Sequence, residues 1–187
     1  MTLNFVAGWN LVGNSSTELL TVAPAFGDTT KVTTMWKWIA NSAKWAFYAP
    51  SLVGQALSDY AASKGYDVLT TINGGEGFWV NAKTAFTAQL PVGSPVASVS
   101  FQGMVSGWNL VATGDNKTPS QFTVLIGTNP VNLTTLWAWD AMLSNWYFYA
   151  PSLEISGSLS NYIASKSYLD FGSKALSPAM GFWVNRP

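Results

Sequence analysis

The strongest constraint on this chain is a repetition. The stretch TTMWKWIANSAKWAFYAPSL, Thr33 to Leu52, returns as TTLWAWDAMLSNWYFYAPSL, Thr134 to Leu153. Trp36, Trp38, Trp45, Phe47, Tyr48, Pro50 and Ser51 recur as Trp137, Trp139, Trp146, Phe148, Tyr149, Pro151 and Ser152 with the same spacing. A unit of about 85 residues buries too little surface to be more than marginal alone. The two copies are therefore expected to pack together about a pseudo-twofold axis and share a larger core.

The flanks repeat as well. FVAGWNLVGNS (Phe5 to Ser15) pairs with MVSGWNLVATG (Met104 to Gly114). In each, alternation at period two after a glycine predicts a strand. Ser16 to Lys31 and Asp115 to Val131 differ between the copies and carry Pro24, Gly27, Pro119 and Pro130. They read as loop with a short helical turn. The central stretch reads as a hairpin whose variable tip is Ile39 to Lys44, or Asp140 to Asn145, and whose return strand ends at Ala-Pro. In LSDYAASKGY and LSNYIASKSY, Leu57, Tyr60 and Ala61 (Leu159, Tyr162 and Ile163) stand at i, i+3 and i+4. That spacing predicts a two-turn helix. A closing strand follows at GEGFWVNA (Gly75 to Ala82) and AMGFWVNR (Ala179 to Arg186). The expected fold is mainly β: two tandem repeats, each of about four strands plus a short helix. Repeat one takes residues 1–86, a Pro/Gly/Ser-rich linker 87–101, and repeat two 102–187.

Composition narrows the partners. With 48% hydrophobic residues and 14% aromatic, a core is assured and disorder excluded. Nine basic and nine acidic residues cancel, so the clustered positive charge that nucleic acid or an anionic membrane requires is missing. No apolar run approaches the roughly 18 residues of a membrane span. Only 10% of residues are charged, against about 25% in an average soluble domain. A surface of Ser, Thr, Asn, Gly and Ala follows, a type common in secreted bacterial proteins. The start, MTLNFVAGWN, has no basic n-region or apolar h-region, and a segment of a longer exported parent is the expectation.

The combined pattern GWNLVGNS, VTTMWKWIANSAKWAFYAP and LSDYAASKGYDVLTTINGGEGFWVNA resembles a tandem repeat of large, mostly uncharacterised secreted or surface proteins of Gram-negative bacteria. The resemblance covers nearly the whole chain, once per copy. It implies an extracellular accessory module rather than a catalytic domain and brings no functional residues to carry over. Copy two departs from it at Ser167 for Gly65 and at Met180 for Glu76.

Chemistry is limited by what the chain lacks. Without His or Cys, the nucleophilic triads, Cys–His pairs and common zinc sites are excluded. The nine carboxylates are scattered and mostly change between copies, as Asp59 to Asn161, Glu76 to Met180 and Ile39 to Asp140 show. This argues against the paired carboxylates of a glycosidase and against a calcium loop. No enzyme, cofactor or metal is expected. NGGEG, Asn73 to Gly77, lacks the Lys of a phosphate loop. The sequons at Asn14, Asn116 and Asn132 are what chance gives in an Asn/Ser/Thr-rich chain.

The aromatics remain: ten Trp, seven Tyr and ten Phe. Flat indole and phenol faces stack on sugar rings while neighbouring polar groups bond the hydroxyls. Strand parity places Trp36 and Trp38 opposite Met35, Lys37 and Ile39. Since Lys37 and Asp140 mark the more polar face, the Trp face, including Trp36 and Trp137, is expected to be core. The same parity makes Tyr48, Tyr147 and Tyr149 the candidates for exposure. Trp38, Trp45, Trp139 and Trp146 flank the tips, where one ring edge can stay open, while Trp9, Trp108, Trp79 and Trp183 read as structural. The functional expectation is a non-catalytic carbohydrate-binding module using Trp38, Trp45, Tyr48, Trp139, Trp146, Tyr147 and Tyr149. The alternative is a structural or adhesive surface repeat with no sugar ligand.

Overall fold

The structure is a computed structural model that describes residues 1–127 and 133–187. Pro130 and the Asn132 sequon lie outside the described residues. The first repeat runs β1 (Thr2–Phe5), β2 (Gly8–Gly13), β3 (Leu20–Thr21), α1 (Val22–Phe26), β4 (Val32–Ile39), β5 (Lys44–Tyr48), α2 (Gln55–Ser63), β6 (Asp67–Val68), β7 (Thr71–Ile72), β8 (Gly77–Ala82) and β9 (Phe86–Gln89). The second runs β10 (Gly107–Val111), α3 (Pro119–Leu125), β11 (Thr135–Asp140), β12 (Asn145–Tyr149), α4 (Pro151–Ile155), α5 (Leu159–Lys166), β13 (Leu169–Asp170) and β14 (Phe182–Arg186).

Each repeat is built on a five-stranded sheet, ordered β2-β8-β4-β5-β6 in one and β10-β14-β11-β12-β13 in the other. The expected hairpins form with equivalent registers, Trp36 opposite Phe47 and Trp137 opposite Phe148. Ile39 closes one tip on Lys44, and Asp140 closes the other on Asn145. The short outer strands β6 and β13 pair in parallel with β5 and β12. The predicted helices also form, as α2 and α5. Each ends in a six-to-one bond, Tyr66 N–H to Ala61 O at 2.9 Å and Tyr168 N–H to Ile163 O at 3.1 Å. Such a bond needs a left-handed residue at the turn. Gly65 supplies it at φ +73°, and Ser167 adopts φ +58° in its place, so the copies keep one geometry despite the substitution.

One face of each sheet makes that repeat's own core. In the first, Met35, Phe78 and Val80 pack with Phe26 of α1 and with Leu3 and Phe5 of β1. In the second, Leu136, Phe182 and Val184 pack with Phe122 of α3 and with Ile126, which caps its C-terminus. The Pro/Gly/Ser-rich stretch read as a linker is largely packed. Its first residues continue β9, which pairs with β1 from Thr2 opposite Gln89 to Phe5 opposite Phe86. Leu90 and Val96 are buried, Ser98 bonds the Asp115 carboxylate through both N–H and Oγ, and Phe101 joins the second core.

The repeats join along the edge strands β2 and β10. Gly13 N–H donates to Ala179 O and Ala112 N–H to Gly75 O, both at 2.9 Å. Isolated bridges link Val12 to Met180 and Val111 to Glu76. These contacts exchange into one another when the repeats are interchanged, which is the pseudo-twofold relation the repetition predicts. The approach is close enough to demand glycine. A Cβ on Gly181 would stand 2.2 Å from Val12 O, and one on its counterpart Gly77 would stand 2.9 Å from Val111 O. A backbone oxygen in a ladder has little freedom to retreat. Gly181→Ala is expected to lower unfolding free energy by about 1–3 kcal/mol in chemical denaturation, the usual cost of overpacking. Gly103→Ala, where an added Cβ meets nothing within 4 Å, should stay within about 0.5 kcal/mol of the parent. Equal effects at the two positions would contradict the glycine-dependent approach.

Candidate ligand-binding site

The opposite face of each sheet carries the tryptophans, and here the structure inverts the parity drawn from the sequence. Lys37 points inward, its side chain 11% exposed, with Nζ 2.8 Å from Glu76 Oε2 and 3.2 Å from Thr71 O. A lysine is tolerated there because the ion pair and carbonyl satisfy it. Copy two replaces Lys37 and Glu76 together by the apolar Ala138 and Met180. Asp140 sits at the strand end and accepts the Met142 and Leu143 N–H groups of the turn, so it marks a turn and not a solvent face. Met35, Leu136 and Ala138 are core, and Trp36 and Trp137, expected to be core, are only partly buried.

The tyrosine expectations change with the parity. Tyr48 is 9% exposed and Tyr149 4%, both on the core face, so neither belongs to an open platform. Burial pushes the Tyr48 phenol above its ordinary range. Tyr149 is pushed up to about 12, first by burial and then by its hydroxyl bond to Glu154 Oε2 at 2.6 Å. Tyr147 is half-buried at the outer edge, tilted 5.0 Å from Phe171 with Lys174 Nζ over its ring. The sequence grouped these three with the hairpin-tip tryptophans; the structure places them on the other side of the sheet.

On the tryptophan face the sheet pairings set out rows. Trp9, Asn81 and Thr34 lie across β2, β8 and β4; then Leu11, Trp79, Trp36 and Phe47; then Gly13 and Gly77, with Trp38 beside Trp45. The second repeat repeats the arrangement with Trp108, Asn185 and Thr135; Leu110, Trp183, Trp137 and Phe148; and Trp139 beside Trp146. The Phe47 and Phe148 ends are covered by α2 and α5, through Tyr60 and Tyr162 at 5.1 Å. The remainder faces the other repeat. Trp183 packs 6.2 Å from Trp38 and 5.8 Å from Trp45, and Trp79 packs 6.1 Å from Trp139 and 5.8 Å from Trp146. Two of these four contacts are edge-to-face and two are tilted, orientations that suit the ring quadrupoles. Trp38 Nε1–H donates to Trp108 O at 2.8 Å, and Trp139 Nε1–H donates to Trp9 O at 2.9 Å.

The crossing leaves two clefts. Trp38, Trp45, Trp108, Trp137, Trp146 and Trp183 line the first, of about 360 Å³. Trp9, Trp36, Trp45, Tyr66, Trp79, Trp139 and Trp146 line the second, of about 460 Å³. Interchanging the repeats carries the first set onto the second, with Tyr66 added. Both volumes fall within the roughly 300–1,000 Å³ of small-molecule sites. All ten tryptophans line one cleft or the other, Trp45 and Trp146 line both, and none is fully buried. Trp9 and Trp108, read from sequence as structural, are the most open at 45% and 43%. Trp137 Nε1–H is buried without an acceptor, whereas its counterpart Trp36 donates to Thr34 Oγ1 at 3.2 Å.

No Lys, Arg, Asp or Glu lines either cleft. Among the described residues no group of three or more His, Cys, Asp or Glu could hold a metal ion, and no helix is long and apolar enough to cross a membrane. Asn14 of the first sequon is fully buried, its amide donating to Glu18 O and Ile72 O. No family model, curated protein or solved structure matches the chain.

Tyr149 gives a pH signature for its corrected place. Its folded pKa lies above the ordinary value of 10.0, so between pH 10 and 12 the unfolded state loses a proton that the native state keeps. Stability is expected to fall across that window, and Tyr149→Phe should remove part of the fall. An identical pH dependence in the variant would return Tyr149 to the surface.

Proposed function

We propose that the chain is a non-catalytic binding module that takes carbohydrate in its two tryptophan clefts, as an accessory part of an exported bacterial protein. The observation that carries this reading is the segregation of the indoles. The two cores are made by Phe, Leu, Val, Met, Ile, Ala and Tyr without a tryptophan, while all ten tryptophans stand on the opposite faces around open clefts, where Trp137 also packs on the small cluster of Phe148, Ala150 and Ile163. Indole is a costly way to fill a surface groove unless something stacks on it, because exposed apolar area is unfavourable in water. Sugar rings present C–H faces of the right chemistry, and uncharged walls suit a neutral glycan. Two similar clefts in one chain would add avidity on a repeating polymer whose spacing lets both engage.

The structural reading has an observation of its own. The bonds from Trp38 and Trp139 weld the repeats, so these two residues have work to do without any ligand. Trp9 and Trp108 separate the readings, since their rings are the least buried. The experiment is a glycan array with pull-down on insoluble cellulose, chitin, xylan and starch. Binding competed by a soluble oligosaccharide is expected, reduced at least tenfold in Trp9→Ala/Trp108→Ala with unfolding still cooperative. Silence of the parent across both panels would favour the structural repeat.

A further inference from the structure

Each repeat carries two asparagines that recur at equivalent positions in its strands, and the fold employs only one of them. Asn10 binds its own turn: Nδ2 donates to Val6 O and Gly8 O at 2.8 and 3.0 Å, and Oδ1 accepts the Val6 N–H at 3.0 Å. Asn109 repeats this with Val105 O and Gly107 O at 2.9 and 3.0 Å. Both are buried. Asn81 and Asn185, of the WVN in each closing strand, are different. Both are partly exposed, on the tryptophan face, and among the described residues neither carboxamide has a hydrogen-bond partner or is sealed from solvent.

Their neighbours give them a role. Asn81 lies directly opposite Trp9 on one side and Thr34 on the other. Asn185 lies directly opposite Trp108 and Thr135. Directly opposed side chains in an antiparallel pair stand roughly 4.5–5.5 Å apart at Cβ, so each amide stands beside the most open indole of a cleft, next to the cleft's aromatic lining and not within it. Asn is disfavoured in strands, and among the described residues no side-chain hydrogen bond accounts for it here. A ring stacked on Trp9 or Trp108 would otherwise meet walls of indole that offer its hydroxyls almost nothing, and a polar group left unpaired in such a site is costly. A carboxamide both donates and accepts, which matches the edge of a sugar with neighbouring hydroxyls or an N-acetyl group.

We infer that Asn81 with Trp9, and Asn185 with Trp108, form two equivalent sugar-binding subsites, in which the indole supports the ring face and the amide selects its hydroxyl or acetamido edge. This rests on the carbohydrate reading and adds the residues that decide among neutral sugars. The test is calorimetric titration of the intact chain with cellotriose, xylotriose, mannotriose and chitotriose, ligands of one short size that differ at those edges. The parent is expected to bind two molecules of at least one of them. Asn81→Ala and Asn185→Ala should each leave one site unchanged and weaken the other about tenfold, and the double variant should weaken both, with the unfolding transition unmoved. A split of equivalent sites by one substitution is something a general loss of structure would not produce. Variants that bind as the parent does would overturn the amide's role and leave the carbohydrate reading standing. A parent that binds none of the four overturns both.

Discussion

Two indole N–H groups hold the tryptophan face in its shape. Trp38 of one hairpin donates to the backbone of Trp108 in the other repeat, and Trp139 returns the bond to Trp9. Each bond fixes a long, flat side chain at the crossing of two sheets, so that Trp79 and Trp183 each sit among tryptophans of the opposite repeat. Gly77 and Gly181 allow the backbones to come within reach. The repetition in the sequence is thus a requirement of the interface: the crossing needs the same residues twice, once from each side.

The pairing also explains why the clefts are apolar yet open. Each hairpin reaches across with two tryptophans, Trp38 and Trp45 or Trp139 and Trp146, and leaves Trp36 or Trp137 as a wall. Rings held in mutual edge-to-face and tilted contact lose little further freedom when something stacks on them, which lowers the cost of binding. Trp45 and Trp146 form part of both clefts, so the two clefts share walls.

Much of this architecture is legible in the sequence, because period-two alternation and the i, i+3, i+4 spacing report backbone geometry directly. The hairpins, the closing strands, α2 and α5 and the twofold pairing follow from it. The side on which the core lies does not follow. Lys37 looked like a marker of solvent, and only its partner Glu76, 39 residues away, reveals that it turns inward. The joint change to Ala138 and Met180 was a signal that could have exposed this, since an ion pair lost in both members reads as a core contact. Asp140 misled for another reason: it caps a turn, and a strand's last residue reports poorly on its faces. With the parity inverted, Tyr48 and Tyr149 lie in the core; Trp9 and Trp108, read as structural from their place beside Gly in the opening strands, are exposed instead. Strand β9 was hidden in a stretch whose Pro and Gly suggested a linker, because its partner β1 is more than 80 residues away. The free amides of Asn81 and Asn185 had no sequence signal beyond their recurrence, which Asn10 and Asn109 share for a purely structural reason.

The most direct test of a welded tryptophan face with open clefts is hydrogen exchange of the indole N–H groups, followed by NMR for each of the ten tryptophans. The Trp38 and Trp139 protons should be protected by their bonds across the interface, while those of Trp9 and Trp108, at the cleft mouths, should exchange rapidly. Slow exchange at Trp9 and Trp108, or fast exchange at Trp38 and Trp139, would contradict the account.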